Sequence, residues 1–149
     1  MILYGHKAWV ARWAGERLGV DDWGPCTTIA VLRNWEIVAA AVYNNYRHPN
    51  IEGSFVTTDP RWATPGVVRT MFRYPFVQLE CKRVTATIEA KNQRIRAFLC
   101  RLGFREEGYH VDALPSGDAI TLGLLAKDAA RWIGETEAAS EQGRSAITS

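Results

Sequence analysis

The stretch of sequence that decides the fold runs from residue 59 to residue 104 and has three informative pieces. They read DPRWATPG at 59–66, RVTATIE at 83–89 and NQRIRAFLCRLGF at 92–104. Apolar and polar residues alternate in the second piece, which predicts a half-buried strand. In the third piece Ile95, Phe98, Leu99 and Leu102 recur at helical spacing, and Gly103 suits the left-handed position that ends a helix. The pattern therefore predicts a loop, a helix, a strand and a second helix.

The loop at 59–66 opens a predicted helix over 66–80. The first amide N–H groups of a helix have no partner inside it, and the helix dipole adds partial positive charge there. Arg61 lies where it adds a full positive charge. Pro75 falls inside the helical pattern and predicts a kink or a break near 71–75. The sequence thus indicates a phosphate-sized anion site at the front of this unit.

The remaining elements predict an α/β fold with a mixed, mostly antiparallel sheet of about six or seven strands flanked by helices. The run at 38–42 is small and apolar on both faces, which predicts a central strand. Polar residues at 44–50 predict a loop. The predicted helices and strands outside the central unit are a helix at 7–18, strands at 27–33, 36–43, 51–57, 106–113 and 120–126, and a short helix at 127–133.

Composition places limits on the class of protein. A chain of 149 residues with 47% hydrophobic and 23% charged residues fits one globular domain, predicted at 1–133. Its formal charge of +2 is too small to argue for a nucleic-acid or anionic-membrane partner. Three widely spaced cysteines favour reduced thiols, and the absence of a leader or apolar span favours a cytoplasmic location. Residues 134–149 are rich in Glu, Ala, Ser and Gly, which predicts a flexible tail.

On these residues the chain resembles the GNAT superfamily of acetyl-CoA-dependent N-acetyltransferases, over roughly residues 26–127. The family's diphosphate loop reads R/Q-x-x-G-x-G/A, and residues 61–66 match it at both ends, with Thr64 where the first glycine is usual. Asn92 with Gly103 and Phe104 matches the family's N-x(10)-G-F, and a Glu-Gly pair follows. The chain is most similar to the branch that acetylates ribosomal-protein N-termini and to phage-encoded proteins of that kind. A phage source would make the location host cytoplasm.

The resemblance implies a binding site for acetyl-CoA between two central strands that splay apart. It implies that strand 51–57 pairs with the pantetheine amides, that the loop binds the diphosphate, that Asn92 contacts the pantetheine arm and that Arg96 contacts the 3′-phosphate. The helix at 7–18 either covers the core or forms one wall of the acceptor pocket. The predicted cofactor-binding residues are Phe55, Val56, Thr57, Arg61, Trp62, Ala63, Thr64, Gly66, Val67, Asn92, Arg96 and Leu99.

Acyl transfer to an amine also needs a base, and it benefits from an acid that protonates the departing thiolate. Glu52, beside the expected acetyl site, is the first candidate base, ahead of Glu36, Asp59 and His48. Where the family usually has a tyrosine acid the chain has Leu99, and Tyr109 is a candidate substitute. The three histidines have no metal-like spacing, so no metal is expected.

The function that these features predict is transfer of acetyl from acetyl-CoA to a primary amine, by direct attack in a ternary complex. The amine belongs to a protein N-terminus, a lysine or a small molecule. The alternative is a non-catalytic acyl-CoA-binding or protein-interaction module of the same fold, which the missing tyrosine favours. No membrane partner is expected, nucleic acid ranks low, and a homodimer is left open.

Overall fold

The computed structural model describes residues 1–58 and 60–134. A 3₁₀ turn at Pro60–Trp62 precedes the second helix, and a π-helical turn at Tyr74–Gln78 follows it. In chain order the other elements are β1 (Ile2–Tyr4), α1 (Lys7–Leu18), β2 (Cys26–Arg33), β3 (Glu36–Arg47), β4 (Asn50–Thr57), α2 (Pro65–Arg73), β5 (Arg83–Glu89), α3 (Gln93–Leu102), β6 (Arg105–Leu114), β7 (Gly117–Leu125) and α4 (Ala126–Ile133).

The strands form one seven-stranded sheet in the order β1-β2-β3-β4-β5-β7-β6. Every neighbouring pair is antiparallel except β4 and β5, which are parallel. Parallel neighbours need a crossover, and here α2 supplies it. The predicted α/β class and the mostly antiparallel sheet are confirmed.

The two parallel strands separate soon after they begin. Only three residue pairs join them, Asn50 with Arg83, Ile51 with Val84 and Glu52 with Thr85. Beyond that point β4 pairs with β3 alone as far as Thr57, and β5 pairs with β7 alone. The predicted splay between two central strands is therefore present, and we call this opening the wedge.

Helices cover both faces of the sheet. The larger core packs α2, α3 and α4 against one face and includes Val68, Phe98 and Ile133. On the other face α1 buries Val10 and Ala14 over the first strands of the sheet. This is the core-covering role predicted for the helix at 7–18.

Three features of the fold differ most from the prediction. Strand β3 runs on to Arg47 through the predicted loop at 44–50, because its polar residues continue the hairpin with β4 across a bulge. Strand β1 was not predicted, since three residues carry too little pattern, and it pairs with β2 along the edge. The helix predicted at 66–80 changes to π-helical geometry at Tyr74, where Pro75 lacks an N–H. That change confirms the predicted kink or break.

The tail predicted at 134–149 lies outside the described residues except for Gly134, which caps α4. Within the part of the chain that the structure describes, no helix is long and apolar enough to cross a membrane. Among the same residues no three His, Cys, Asp or Glu side chains come together as metal ligands would.

Candidate functional site

The wedge exposes backbone hydrogen-bonding groups that have no strand partner. Beyond Glu52, the peptide groups of β4 that face β5 are not paired with it. Because an unpaired backbone group away from water is costly, such an edge favours a ligand that carries amides of its own. Phe55 and Val56 contribute backbone here, since their side chains are 8% and 9% exposed and pack in the core. Thr57 is half-buried at the open end.

The start of α2 lies at the open end of the wedge. Thr64 caps this helix, and its hydroxyl accepts a bond of 3.4 Å from the Val67 amide. The first i→i−4 bond is donated by Val68 to the Thr64 carbonyl at 3.0 Å. Pro65 has no N–H, so the Gly66 amide is the donor left for an anion, and the Val67 amide joins it only by giving up its long bond to Thr64. The loop is thus a weaker anion site than one built on glycines.

Gly66 borders open space. A Cβ built on this residue meets nothing within 4 Å. Its backbone is helical rather than left-handed, so neither packing nor conformation requires a glycine there. A bulky anion can therefore approach the Gly66 amide, because no side chain fills the space beside it. Arg61 is exposed on the preceding turn, and Ala63 is half-buried between the two.

Trp62 lies on the 3₁₀ turn between β4 and α2 and belongs to the larger core. Its indole is 4% exposed and packs on Phe98 of α3, with ring centroids 5.7 Å apart. The indole Nε1 has no hydrogen-bond partner among the described residues. A buried donor without an acceptor is unfavourable, and native structures seldom leave one so. A ligand oxygen in the wedge would satisfy it.

The residues predicted on α3 lie beside the same opening. Asn92 is the N-cap of α3, and its side-chain oxygen accepts from the Ile95 amide at 3.1 Å, which leaves its amide NH₂ as a donor. Leu99 has no exposed surface and belongs to the larger core. Arg96 donates to both carboxylate oxygens of Glu106, at 2.9 and 3.2 Å, and to the Ala90 carbonyl at 2.8 Å. This contact holds the pKa of Glu106 below its usual value. Arg96 would have to leave Glu106 to meet a phosphate.

Glu52 lies at the closed end of the wedge, in the last residue pair between β4 and β5. Its carboxylate accepts a bond of 2.7 Å from the Asn45 side-chain amide. It also lines a groove of about 830 Å³ where β2 begins, β3 ends and β4 begins. Glu52 is therefore the one predicted site residue that borders both the wedge and a cavity large enough for an acceptor.

Tyr109 lies elsewhere. It is on the edge strand β6, 61% exposed, and its hydroxyl donates to Asp118 at 2.5 Å. That bond raises the pKa of Tyr109. Strands β5 and β7 separate it from β4, and the spacing of strands puts it roughly 15 Å or more from Glu52. The structure does not bring the two predicted catalytic residues together.

Of the other candidate bases, Glu36 is at the far end of β3 and His48 in the β3–β4 turn, while Asp59 is outside the described residues.

Two residues that line the groove were not predicted from the sequence. Lys7 starts α1 and Arg47 ends β3, and both face the same groove as Glu52. Nothing in their local sequence marks them, because they are 40 residues apart and come together only through the packing of α1 on the sheet. The basic residues that the sequence did single out, Arg61 and Arg96, lie before α2 and on α3 instead.

Solved structures share this fold. A variant of the spermidine N-acetyltransferase from Vibrio cholerae matches with a TM-score of 0.64 at 11% identity, over 91% of this chain and 99% of that one. The ribosomal-protein-alanine N-acetyltransferase from Brucella melitensis matches at 0.59 and 15%, over 84% and 99%. A GNAT-family acetyltransferase from Bacillus anthracis matches at 0.54 and 18%, over 68% and 66%.

The chain therefore has the fold of the GNAT N-acetyltransferases. At these identities the likeness is one of fold. No family model and no curated protein matches the sequence itself.

Proposed function

We propose that this protein transfers the acetyl group of acetyl-CoA to a primary amine, with both substrates bound at once. The observation that carries the proposal is the parallel pair β4–β5, which separates after Glu52 directly ahead of the start of α2. The opening has an anion site at one end and a carboxylate at the other. The fold is the one that N-acetyltransferases of solved structure share.

The dimensions of the wedge suit acetyl-CoA. From Thr57 to Glu52, β4 extends roughly 16 Å. A pantetheine arm has a chain of bonds about as long as four or five extended residues, roughly 15 Å. With the diphosphate at the start of α2, the thioester then reaches the closed end beside Glu52. The unpaired peptide groups of β4 meet the two pantetheine amides on the way.

Different residues bind the diphosphate and the pantetheine arm of acetyl-CoA. Arg61 and the amides of Gly66 and Val67 bind the diphosphate by charge-assisted hydrogen bonds. The free amide of Asn92 and the indole N–H of Trp62 donate to oxygens of the arm. Contacts to both the diphosphate and the arm would hold the cosubstrate in a single direction.

The chemistry at the closed end uses Glu52. Its carboxylate takes a proton from the bound ammonium group, directly or through a water, and Asn45 holds it in place. The neutral amine attacks the thioester carbonyl, forming the C–N bond, and unpaired N–H groups of β4 stabilise the oxyanion. Collapse breaks the C–S bond. The nitrogen of the adduct releases its second proton to solvent, and the products are the acetylated amine and CoA, whose thiolate takes a proton from solvent.

The neighbours of solved structure include enzymes named for spermidine and for ribosomal-protein alanine. The acceptor here is an amine of the same general kind, on a protein or on a small molecule. Membership of the ribosomal-protein or phage-type branch, and work in the cytoplasm, are parts of this proposal that rest on the sequence resemblance.

A second candidate function is binding of acyl-CoA without catalysis. The observation that favours it is Leu99, which is completely buried where the family usually has a tyrosine acid. A buried leucine cannot protonate a thiolate. Both candidates share the wedge as a CoA site, and turnover separates them.

The test is release of free CoA thiol from acetyl-CoA with amines, peptides and proteins as acceptors, and mass spectrometry of the acceptor. Wild type should add a mass of one acetyl group. Glu52→Gln should lower kcat by about 10²-fold or more, because it removes the base without changing the side-chain shape. Glu36→Gln is the matched control at the far end of β3 and should act like wild type. Binding of acetyl-CoA with no product on any amine would favour the non-catalytic module, and no binding would overturn both.

A further inference from the structure

The groove at the closed end of the wedge has a distinct charge pattern, and it bears on which amines the protein accepts. The inference rests on the proposed function. Of the described residues that line the groove, Glu52 is the one acid, and Lys7 and Arg47 are the two cations. Their elements are different, so the groove is built from the start of α1, the end of β3 and the start of β4.

These three charges do not neutralise one another. Glu52 is held by the neutral amide of Asn45, and neither Lys7 nor Arg47 has an ion-pair partner within the described ranges. Four ion pairs lie away from the groove, on β5, β6, α3, α4 and the turn between β5 and α3. Opposite charges that face one cavity without forming an ion pair are complementary to a ligand that carries both a positive and a negative charge.

Two tyrosine hydroxyls of the groove are already engaged. The Tyr43 hydroxyl donates to the Met71 carbonyl at 2.8 Å, and the Tyr74 hydroxyl donates to Thr27 at 2.9 Å. Both rings therefore form fixed walls, with centroids 5.4 Å apart. The charged groups Lys7, Arg47 and Glu52 are the lining residues that distinguish a charged acceptor from a neutral one.

We propose that the acceptor is a primary amine that also carries a carboxylate, with its ammonium group at Glu52 and its carboxylate at Lys7 and Arg47. Two sources offer this chemistry: a free amino acid, and a peptide N-terminus followed by an acidic residue. A polyamine fits poorly, because its second ammonium group meets two cations and only one carboxylate.

Matched acceptors test the proposal. Alanine is compared with alaninamide, and the peptide Ala-Glu-Ala-amide with Ala-Gln-Ala-amide, with spermidine as the polyamine. We expect kcat/KM about tenfold or more higher for the carboxylate member of at least one pair, mainly through KM. The pair that shows the preference identifies the source. The preference should shrink as salt rises, because exposed charges are screened.

Variants of Lys7 and Arg47 test whether these two residues cause the preference for a carboxylate. The double variant Lys7→Gln with Arg47→Gln should remove the preference, because KM rises more for the carboxylate acceptor than for the neutral one. Lys7→Arg with Arg47→Lys should keep it. Lys127→Gln, on α4 outside the groove, is the control for loss of an exposed cation and should keep both the preference and the basal rate.

The possible outcomes distinguish the acceptor preference from acetyl transfer itself. Equal use of both members of each pair, preference for spermidine, or a preference that survives the double variant would overturn the inference and leave acetyl transfer intact. No transfer to any acceptor, measured on protein that binds acetyl-CoA, would overturn the proposed function and this inference with it.

Discussion

The Trp62 and Phe98 rings, 5.7 Å apart at their centroids, connect the loop that follows β4 to the helix that follows β5. The two strands diverge, and this contact joins the segments that they lead into. The Trp62 ring is buried, yet its Nε1 donates to nothing within the described chain. The contact thus closes the core between these segments and leaves a buried donor without an acceptor in that part of the chain.

The first prediction concerns that donor. Trp62→Phe keeps an aromatic ring against Phe98 and removes the N–H. Losing a hydrogen bond to the ligand costs about 1 kcal/mol, which weakens acetyl-CoA binding several-fold. In the absence of ligand, the free energy of unfolding should fall less than it does for other replacements of a large aromatic residue by a smaller one. The reason is that the N–H removed from Trp62 had no hydrogen-bond partner among the described residues. Calorimetric titration and chemical denaturation measure the two quantities.

Trp132→Phe is the control for this experiment. The Trp132 Nε1 donates to the Leu102 carbonyl at 2.8 Å, so its loss should lower stability by about 1 kcal/mol and leave acetyl-CoA affinity unchanged. If both variants bind acetyl-CoA as wild type does, the indole of Trp62 has no part in the site.

The second prediction is that Gly66→Ala raises stability and lowers affinity. A Cβ there meets no protein atom within 4 Å, and alanine in a helix stabilises by about 0.4–1 kcal/mol over glycine. The same methyl group fills the space through which the diphosphate approaches. The melting temperature should rise while the Kd for acetyl-CoA increases. A rise in melting temperature with unchanged Kd would remove the start of α2 from the site.

The third prediction tests Arg61. Arg61→Ala should weaken acetyl-CoA binding by about 1.5–3 kcal/mol, since it removes a charge-assisted contact with the diphosphate. Arg12→Ala, on α1 at the opposite face of the sheet, should bind as wild type does. Similar losses in both variants would indicate a general effect of charge and would contradict a local contact.

The fourth prediction concerns pH and the thiolate. With no acid at Leu99, the rate should rise with pH as the acceptor ammonium group loses its proton, and it should not fall again at alkaline pH. Tyr109→Phe should have the same profile as wild type, because the Tyr109 hydroxyl is directed to Asp118 and lies three strands from Glu52. An alkaline fall that disappears in Tyr109→Phe would place the acid at Tyr109 instead.

The fifth prediction concerns stability in acid. Arg83 donates to Glu107 through two nitrogens, which lowers the pKa of Glu107 from 4.5. A carboxyl group whose pKa is lower in the folded state stabilises the fold at pH values above its unfolded-state pKa. This contribution is lost as the pH falls through the folded-state pKa. The side chains are 30% and 42% exposed, so the contribution is below about 1 kcal/mol.

Glu107→Gln should therefore cost stability at pH 7 and little at pH 3. Gly123→Ala should act in the same direction, because its Cβ would lie 2.5 Å from a Glu107 oxygen and 2.6 Å from an Arg83 nitrogen. Urea denaturation at the two pH values measures both. An equal loss at pH 3 and pH 7 would mean that the ion pair is not the cause.

How much of the fold the sequence predicts depends on how local each signal is. Helix α1 was predicted over 7–18 and spans Lys7–Leu18, because its apolar spacing and Gly19 are local signals. Strand β5 was predicted from alternation and is present at Arg83–Glu89. The end of β3 was not predicted, since polar residues in a projecting hairpin are stabilised by pairing with β4 rather than by burial.

The site was predictable only in part, for the same reason. The loop before α2 and the N-cap Asn92 follow from short motifs in the chain. The indole of Trp62 is buried by Phe98, a residue of another helix, and the groove depends on Lys7, Arg47 and Glu52 from three elements. Such contacts form only when the sheet and its helices are assembled, and no local pattern reports them.

The most direct test of the central claim is to map where CoA binds on the full chain by amide chemical shifts in NMR. The wedge account predicts that CoA shifts the amides of β4 from Gly53 to Thr57 together with those of Gly66 and Val67. Adenosine 3′,5′-diphosphate, which lacks the pantetheine arm, should shift the second group and leave the first unchanged. Shifts confined to another surface, or the same pattern for both ligands, would contradict the claim that the space between β4 and β5 holds the arm.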